Sequence, residues 1–225
     1  MAPATGAGLA DHTPRLENAP AQPAGTVLLA HGAGAPMDSP FMAAMALGLA
    51  ERGWRVLRFE FAYMARQRLS GRKAAPDRMP KLQEVFREQV ELEAQRGPLF
   101  IGGKSMGGRV ASLLLDELAA SHGVCGGICL GYPFHPLGKP DQLRTDHLEQ
   151  LQTPALILQG ERDGFGTRAE VEAYNLSERI SLGWLPDGDH SFKPRKASGL
   201  SEAQNWAAAV EQADGFCRQA LALLG

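Results

Sequence analysis

A serine flanked by glycines, an aspartate and a histidine lie along the chain in an order that could carry acyl transfer. Gly103-Lys104-Ser105-Met106-Gly107 fits the pattern G-x-S-x-G. In that motif a strand turns sharply into a helix and holds a serine at the apex of a strained turn. A serine hydroxyl is a poor nucleophile until a base takes its proton, and the base needs an acid to orient it. Ser105 is followed by Asp163 and then by His190, each just beyond an apolar, strand-like run. Taken singly, these features have plain explanations. Glycines pack helices on strands, aspartates form turns, and histidines sit solvated in polar loops. Their joint order at successive strand ends predicts a nucleophile, acid and base. Asp187 and Asp189 are rival acids, but near neighbours in one loop rarely present a carboxylate at the right angle to the imidazole.

The intermediate of acyl transfer needs two backbone donors for its oxyanion. The amide of Met106 sits at a helix N-terminus, where the dipole helps. The second donor is assigned to Ala33, in the loop His31-Gly32-Ala33-Gly34 after the first buried strand, with Gly32 or Gly34 as alternatives. His31 is read as a prop for that loop rather than as a base. A pocket for the acyl group is expected to be walled by Met37, Tyr63, Met64, Tyr132 and Phe134; their competing reading is plain core. Arg66, Arg68 and Arg72 could attract an anion, but a solvated basic loop is the simpler reading. The segment Gly103-Lys104-Ser105 also ends like a phosphate-binding loop. That motif needs a glycine at position 98, which is Pro98.

These residues need a scaffold that gathers strand ends. Apolar runs at Thr26–Ala30, Trp54–Phe59, Leu99–Ile101, Val124–Leu130, Ala155–Leu158 and Ile180–Leu185 read as strands. Helical patterns fall between them. One begins after Ser39 with Pro40 in its first turn, one at Pro80, one directly after Ser105, a short one near Arg168–Tyr174, and a last one at Ser201, where Ser201-x-x-Gln204 is a capping box. Phe61–Met64 is read as leading into a basic loop that carries Arg66 to Arg78. The alternation predicts an α/β fold with a mostly parallel sheet of about six strands and helices on both faces. The loops bearing chemistry then meet at the C-terminal edge of the sheet. Residues 1–25, rich in Ala, Pro and Gly, are expected to form a flexible or extended arm, with room for one short edge strand and a solvated His12; residues 26–225 form one domain.

Composition narrows the function classes. A net charge of −2 gives no global field for nucleic acid or a membrane surface. No apolar run approaches the roughly 20 residues of a spanning helix. Cys125, Cys129 and Cys217 lack C-x-x-C spacing, which argues against a metal. They read as free thiols in a reducing, cytoplasmic compartment. No cofactor is called for. No long insertion offers a lipase lid, and nothing suggests a peptide groove.

The segments His31-Gly-Ala-Gly-Ala-Pro-Met37, Gly102-Gly-Lys-Ser-Met-Gly-Gly-Arg109, Gly131-Tyr-Pro-Phe-His-Pro-Leu-Gly-Lys-Pro140, Leu158-Gln-Gly-Glu-Arg-Asp163 and Asp189-His190-Ser191 together resemble the α/β-hydrolase superfamily. The likeness is to its simple, dienelactone-hydrolase-like members without a large cap domain. More narrowly, the chain resembles the branch that holds a small testis-expressed protein, the hydrolase-like domain of a histone-acetyltransferase complex subunit, and bacterial relatives. The resemblance implies the α/β-hydrolase fold and a Ser105–Asp163–His190 triad. It implies a serine hydrolase acting on a small ester or thioester, with a non-catalytic interaction module as the alternative. The two leading strands of larger α/β-hydrolases are not evident, which implies a sheet truncated on that side.

Overall fold

The computed structural model describes residues 13–223. His12 and the first part of the expected arm lie outside the described residues. The remainder of the arm contains a strand, β1 (Arg15–Asn18), absent from the count of six. The others are β2 (Thr26–Ala30), β3 (Arg55–Phe59), β4 (Leu99–Lys104), β5 (Val124–Leu130), β6 (Ala155–Gly160) and β7 (Ile180–Leu185). They form one seven-stranded sheet in the order β1-β3-β2-β4-β5-β6-β7. All pairings are parallel except β1 on β3. The inner strands β2, β4 and β6 are buried along their whole length, which is why their sequences are continuous apolar runs and do not alternate.

Helices cover both faces. On one side, α1 (Pro40–Glu51) and α6 (Glu202–Ala222) pack on the sheet through Phe41, Met45 and Leu49 and through Val210, Ala213 and Cys217. On the other, α3 (Met79–Glu91) and α4 (Met106–His122) bury Leu82, Phe86, Val110, Leu114 and Leu118. A third cluster, with Tyr132, Phe134, Leu148 and Val171, lies beneath the loop after β5 and the single-turn helix α5 (Arg168–Val171). α5 ends short of Tyr174; its turn is fixed by a capping box between Thr167 and Glu170. Among the described residues no helix is long and apolar enough to cross a membrane.

The stretch expected as a basic loop is partly helical. α2 spans Ala62–Ser70 and closes on Gly71 in the left-handed conformation. Only Tyr63 and Met64 of this helix are buried, so its apolar stripe is too narrow to show as a helical period in the sequence.

Candidate active site

Ser105 occupies the turn between β4 and α4 with φ +52° and ψ −113°, a strained backbone for a residue with a side chain. Close packing enforces it. A Cβ on Gly103 would collide with the Ala30 carbonyl, and one on Gly107 would sit 2.5 Å from the same oxygen and 2.6 Å from that of His31. The two glycines let α4 start against the end of β2, and Ser105 is the residue left projecting.

The side chains of Ser105, His190 and Asp163 meet although they lie far apart in sequence. Ser105 Oγ is 2.8 Å from His190 Nε2. His190 Nδ1 is 2.7 Å from Asp163 Oδ2. Asp163 is fully buried. Its Oδ1 accepts the Phe165 amide at 2.9 Å, and Oδ2 also accepts Gln159 Nε2 at 2.9 Å. An acceptor-only carboxylate on Nδ1 fixes the tautomer in which Nε2 faces the serine hydroxyl as an acceptor. The rival acids are engaged elsewhere. Asp189 accepts the amides of Ser191 and Lys193. Asp187 pairs with Arg195 and Arg162.

His31 is bonded at both ring nitrogens. Nε2 accepts the Phe61 amide at 3.1 Å, which leaves the proton on Nδ1, 2.7 Å from the Gly32 carbonyl. Burial pushes its pKa down. The ring is a neutral strut with no proton to exchange at the serine. The loop it supports lies against the elbow: a Cβ on Gly32 would stand 3.6 Å from Ser105 Cβ. Ala33 is exposed in that loop, and Met106 begins α4.

The expected pocket walls are largely core. Tyr63, Tyr132 and Phe134 expose no surface, and Met37 is 5% exposed. Aromatic type does not distinguish a wall from a strut, and here hydrogen bonding assigns the difference. Tyr63 Oη donates to the Ala33 carbonyl at 3.1 Å and braces the loop after β2. Tyr132 Oη donates to the Arg144 carbonyl at 2.9 Å, and Phe134 packs on the Tyr132 ring with centroids 4.8 Å apart. The Met37 carbonyl accepts from Arg58. Met64 lines a cavity with Pro36, Gln67, Arg68, Gly71 and Lys73.

Several supporting groups carry no sequence signature. Lys104, one residue before the serine, is buried, and Nζ donates to the His190 carbonyl at 2.6 Å. Its ammonium lies 5.5 Å from the centre of the Phe41 ring. Burial lowers its pKa to about 8, against the pull of Asp163 and Asp189. Gly131 makes room for this contact, since a Cβ there would stand 2.8 Å from the His190 carbonyl and 2.9 Å from Lys104 Nζ. Gln159 accepts the Tyr132 amide while it donates to Asp163. Asn205 and Trp206 of α6 hold the histidine loop through the carbonyls of Pro186, Phe192 and Ser191. The His190 ring rests on Phe165, centroids 4.4 Å apart.

Residues 23–218 match the family described as Alpha/beta hydrolase domain. The chain belongs to the α/β-hydrolase family. Among solved structures, it is similar to an α/β serine hydrolase homologue from Coxiella burnetii, with 19% identity, 88% of this chain and 90% of that chain covered, and a TM-score of 0.65. It is similar to a lidless α/β serine hydrolase from Xanthomonas campestris, with 22% identity, 88% of each chain and a TM-score of 0.62. It is also similar to a dienelactone hydrolase from Anabaena variabilis, with 20% identity, 91% of this chain and 90% of that chain, and a TM-score of 0.67. These likenesses establish a shared fold. Among the described residues, this α/β-hydrolase sheet is open and carries no large cap.

Proposed function

We propose that this α/β-hydrolase is a serine hydrolase that cleaves a small carboxylic ester or thioester. The observation that carries the reading is the continuous hydrogen-bonded chain from Ser105 Oγ through His190 to buried Asp163. In this reading His190 Nε2 takes the hydroxyl proton as Ser105 Oγ bonds to the carbonyl carbon. Asp163 holds the imidazole in place and stabilises the imidazolium. The amides of Met106 and Ala33 receive the oxyanion. The tetrahedral intermediate collapses, and the alcohol or thiol leaves with the proton from His190. Water, deprotonated by the same histidine, then attacks the acyl-Ser105 ester, releasing the carboxylic acid and restoring the serine. Lys104 holds the histidine loop at the required height.

Fluorophosphonate probes test the reading directly. Wild-type protein is expected to label covalently, and the Ser105→Ala variant to stay unlabelled. A folded wild-type protein that does not label sinks the hydrolase reading in favour of an interaction module on the same fold. A panel of acyl p-nitrophenyl esters and thioesters then separates esterase from thioesterase. The segments shared with the testis-expressed and acetyltransferase-subunit branch support placing the chain there. The three free cysteines, two of them buried, support a reducing, cytoplasmic setting.

A further inference from the structure

Acyl transfer gives the two halves of a substrate different neighbours. The oxyanion of the intermediate points to backbone donors, whereas the leaving heteroatom points to His190 Nε2, which must hand it a proton. Whatever that heteroatom carries departs along the imidazole. The side chains beside the imidazole therefore select the alcohol or thiol half of the substrate. Most of the ring is enclosed. Nε2 faces Ser105 Oγ, and Nδ1 is taken by the fully buried Asp163. Backbone closes a further side, since a Cβ on Gly131 would stand 3.3 Å from Nδ1 and 2.8 Å from the His190 carbonyl. The His190 side chain still keeps 27% of its surface open.

Phe165 borders that opening. Its ring lies against the imidazole, centroids 4.4 Å apart and planes tilted by 41°. Unlike Tyr132 and Phe134, which expose no surface, Phe165 is only half-buried. Among the described residues it belongs to none of the three apolar clusters that build the core. Its backbone is nonetheless fixed to the site. The amide donates to Asp163 Oδ1 at 2.9 Å, and the carbonyl accepts the His135 amide at 3.2 Å. The same loop contact brings up Leu137, because a Cβ on Gly164 would stand 3.1 Å from Leu137 Cδ2. Leu137 is 62% exposed. The charged side chains nearby in the acid loop are engaged elsewhere: Glu161 pairs with Arg168, and Arg162 with Asp187. Folding thus leaves an aromatic face and a leucine in water beside the catalytic histidine.

We propose that Phe165 and Leu137 form a leaving-group subsite, and that the substrate is an ester or thioester whose alcohol or thiol carries an aryl group. The proposal rests on Ser105 being the nucleophile. A flat ring suits the subsite, because aromatic pairs add their own attraction to the apolar area they bury. A Phe165 that only steadied the imidazole would act equally on every ester. A subsite acts on acylation alone and through the alcohol half alone, since the acyl-enzyme no longer holds that half.

The test compares benzyl butyrate with ethyl butyrate, which share one acyl group. Each kcat/KM is divided by the ester's rate of alkaline hydrolysis, which removes intrinsic reactivity. Wild-type protein is expected to favour the benzyl ester by about 10- to 100-fold. Phe165→Ala is expected to bring that ratio close to one, Leu137→Ser to lower it by about threefold, and Phe165→Tyr to keep it. The ratio of ethyl hexanoate to ethyl acetate reads the acyl half and is expected to be the same in all four proteins. A wild-type benzyl preference near one overturns the subsite, and so does a preference unchanged in Phe165→Ala. If Phe165→Ala fails to fold, an unchanged preference in Leu137→Ser, at an exposed position, overturns it instead. Fluorophosphonate separates the two failures. Labelled Ser105 with no benzyl preference keeps the nucleophile and removes the subsite. A folded protein that neither labels nor cleaves any ester removes both.

Discussion

The serine and the histidine of the site are held in different ways. On the serine side, backbone packs on backbone: Gly103 and Gly107 meet the carbonyls of Ala30 and His31 with no room for a methyl group. On the histidine side, a loop follows β7 and is tied down by side chains from elsewhere. Lys104, Asn205, Trp206 and Asp163 each make one or two hydrogen bonds to it. The first arrangement is nearly all-or-none, since a single added carbon displaces a strand or a helix. The second is distributed, and losing one tether should loosen the loop without unfolding the domain.

Graded substitutions sharpen this contrast. Ser105→Ala has the largest expected effect, about a million-fold loss in kcat with folding intact, read by ester hydrolysis and thermal melting. Asp163→Asn comes next, at about ten-thousand-fold in kcat, because an amide can hold the wrong imidazole tautomer. Gly107→Ala is expected to lower stability by about 3 kcal/mol in denaturant unfolding. A smaller cost than that of a typical surface change breaks the claim that the serine side is all-or-none.

Lys104→Met should reduce kcat by about 10- to 100-fold with a smaller change in KM, because it frees the His190 carbonyl. It carries a second signature in pH. Burial holds the folded lysine near a pKa of about 8, below its unfolded value near 10.4. The unfolded state therefore binds the extra proton between those values, and wild-type stability gains a rising contribution with pH across that window. The variant should lack this contribution in urea midpoints measured from pH 8 to 10; an identical rise in both proteins excludes a buried charged lysine. Trp206→Phe removes one tether, to the Ser191 carbonyl, and should cost at most about 1 kcal/mol with a minor loss of rate.

The same contrast explains what could be read from the sequence. Glycine spacing and strand ends leave local marks. The elbow, the serine–acid–histidine order and six of the seven strands were legible for that reason. The seventh, β1, is four residues long and lies at the sheet edge within a Pro- and Ala-rich arm; the arm left room for one short edge strand, but periodicity has nothing there to place it by. α2 was hidden because it buries only two side chains. Tyr63, Tyr132 and Phe134 read as pocket walls in sequence yet expose no surface, because an aromatic just beyond a strand end looks the same whether it faces a ligand or braces the backbone. The Lys104 tether and the Gln159 contact with Asp163 join residues brought together only by folding, and neither has a spacing to betray it.

The three cysteines divide in a useful way. Burial raises the Cys129 thiol to about 12, and Cys217 is raised by burial too; neither presents a thiolate to a reagent at neutral pH. Cys125 is partly exposed at the start of β5, whereas the serine turn is level with that strand's far end. The sheet thus separates the one accessible thiol from Ser105 by roughly 20 Å. A maleimide dye on Cys125 paired with a fluorophosphonate dye on Ser105 would place two fluorophores at opposite ends of the domain without any engineered residue. That pair turns the native chain into its own distance ruler for following unfolding one molecule at a time.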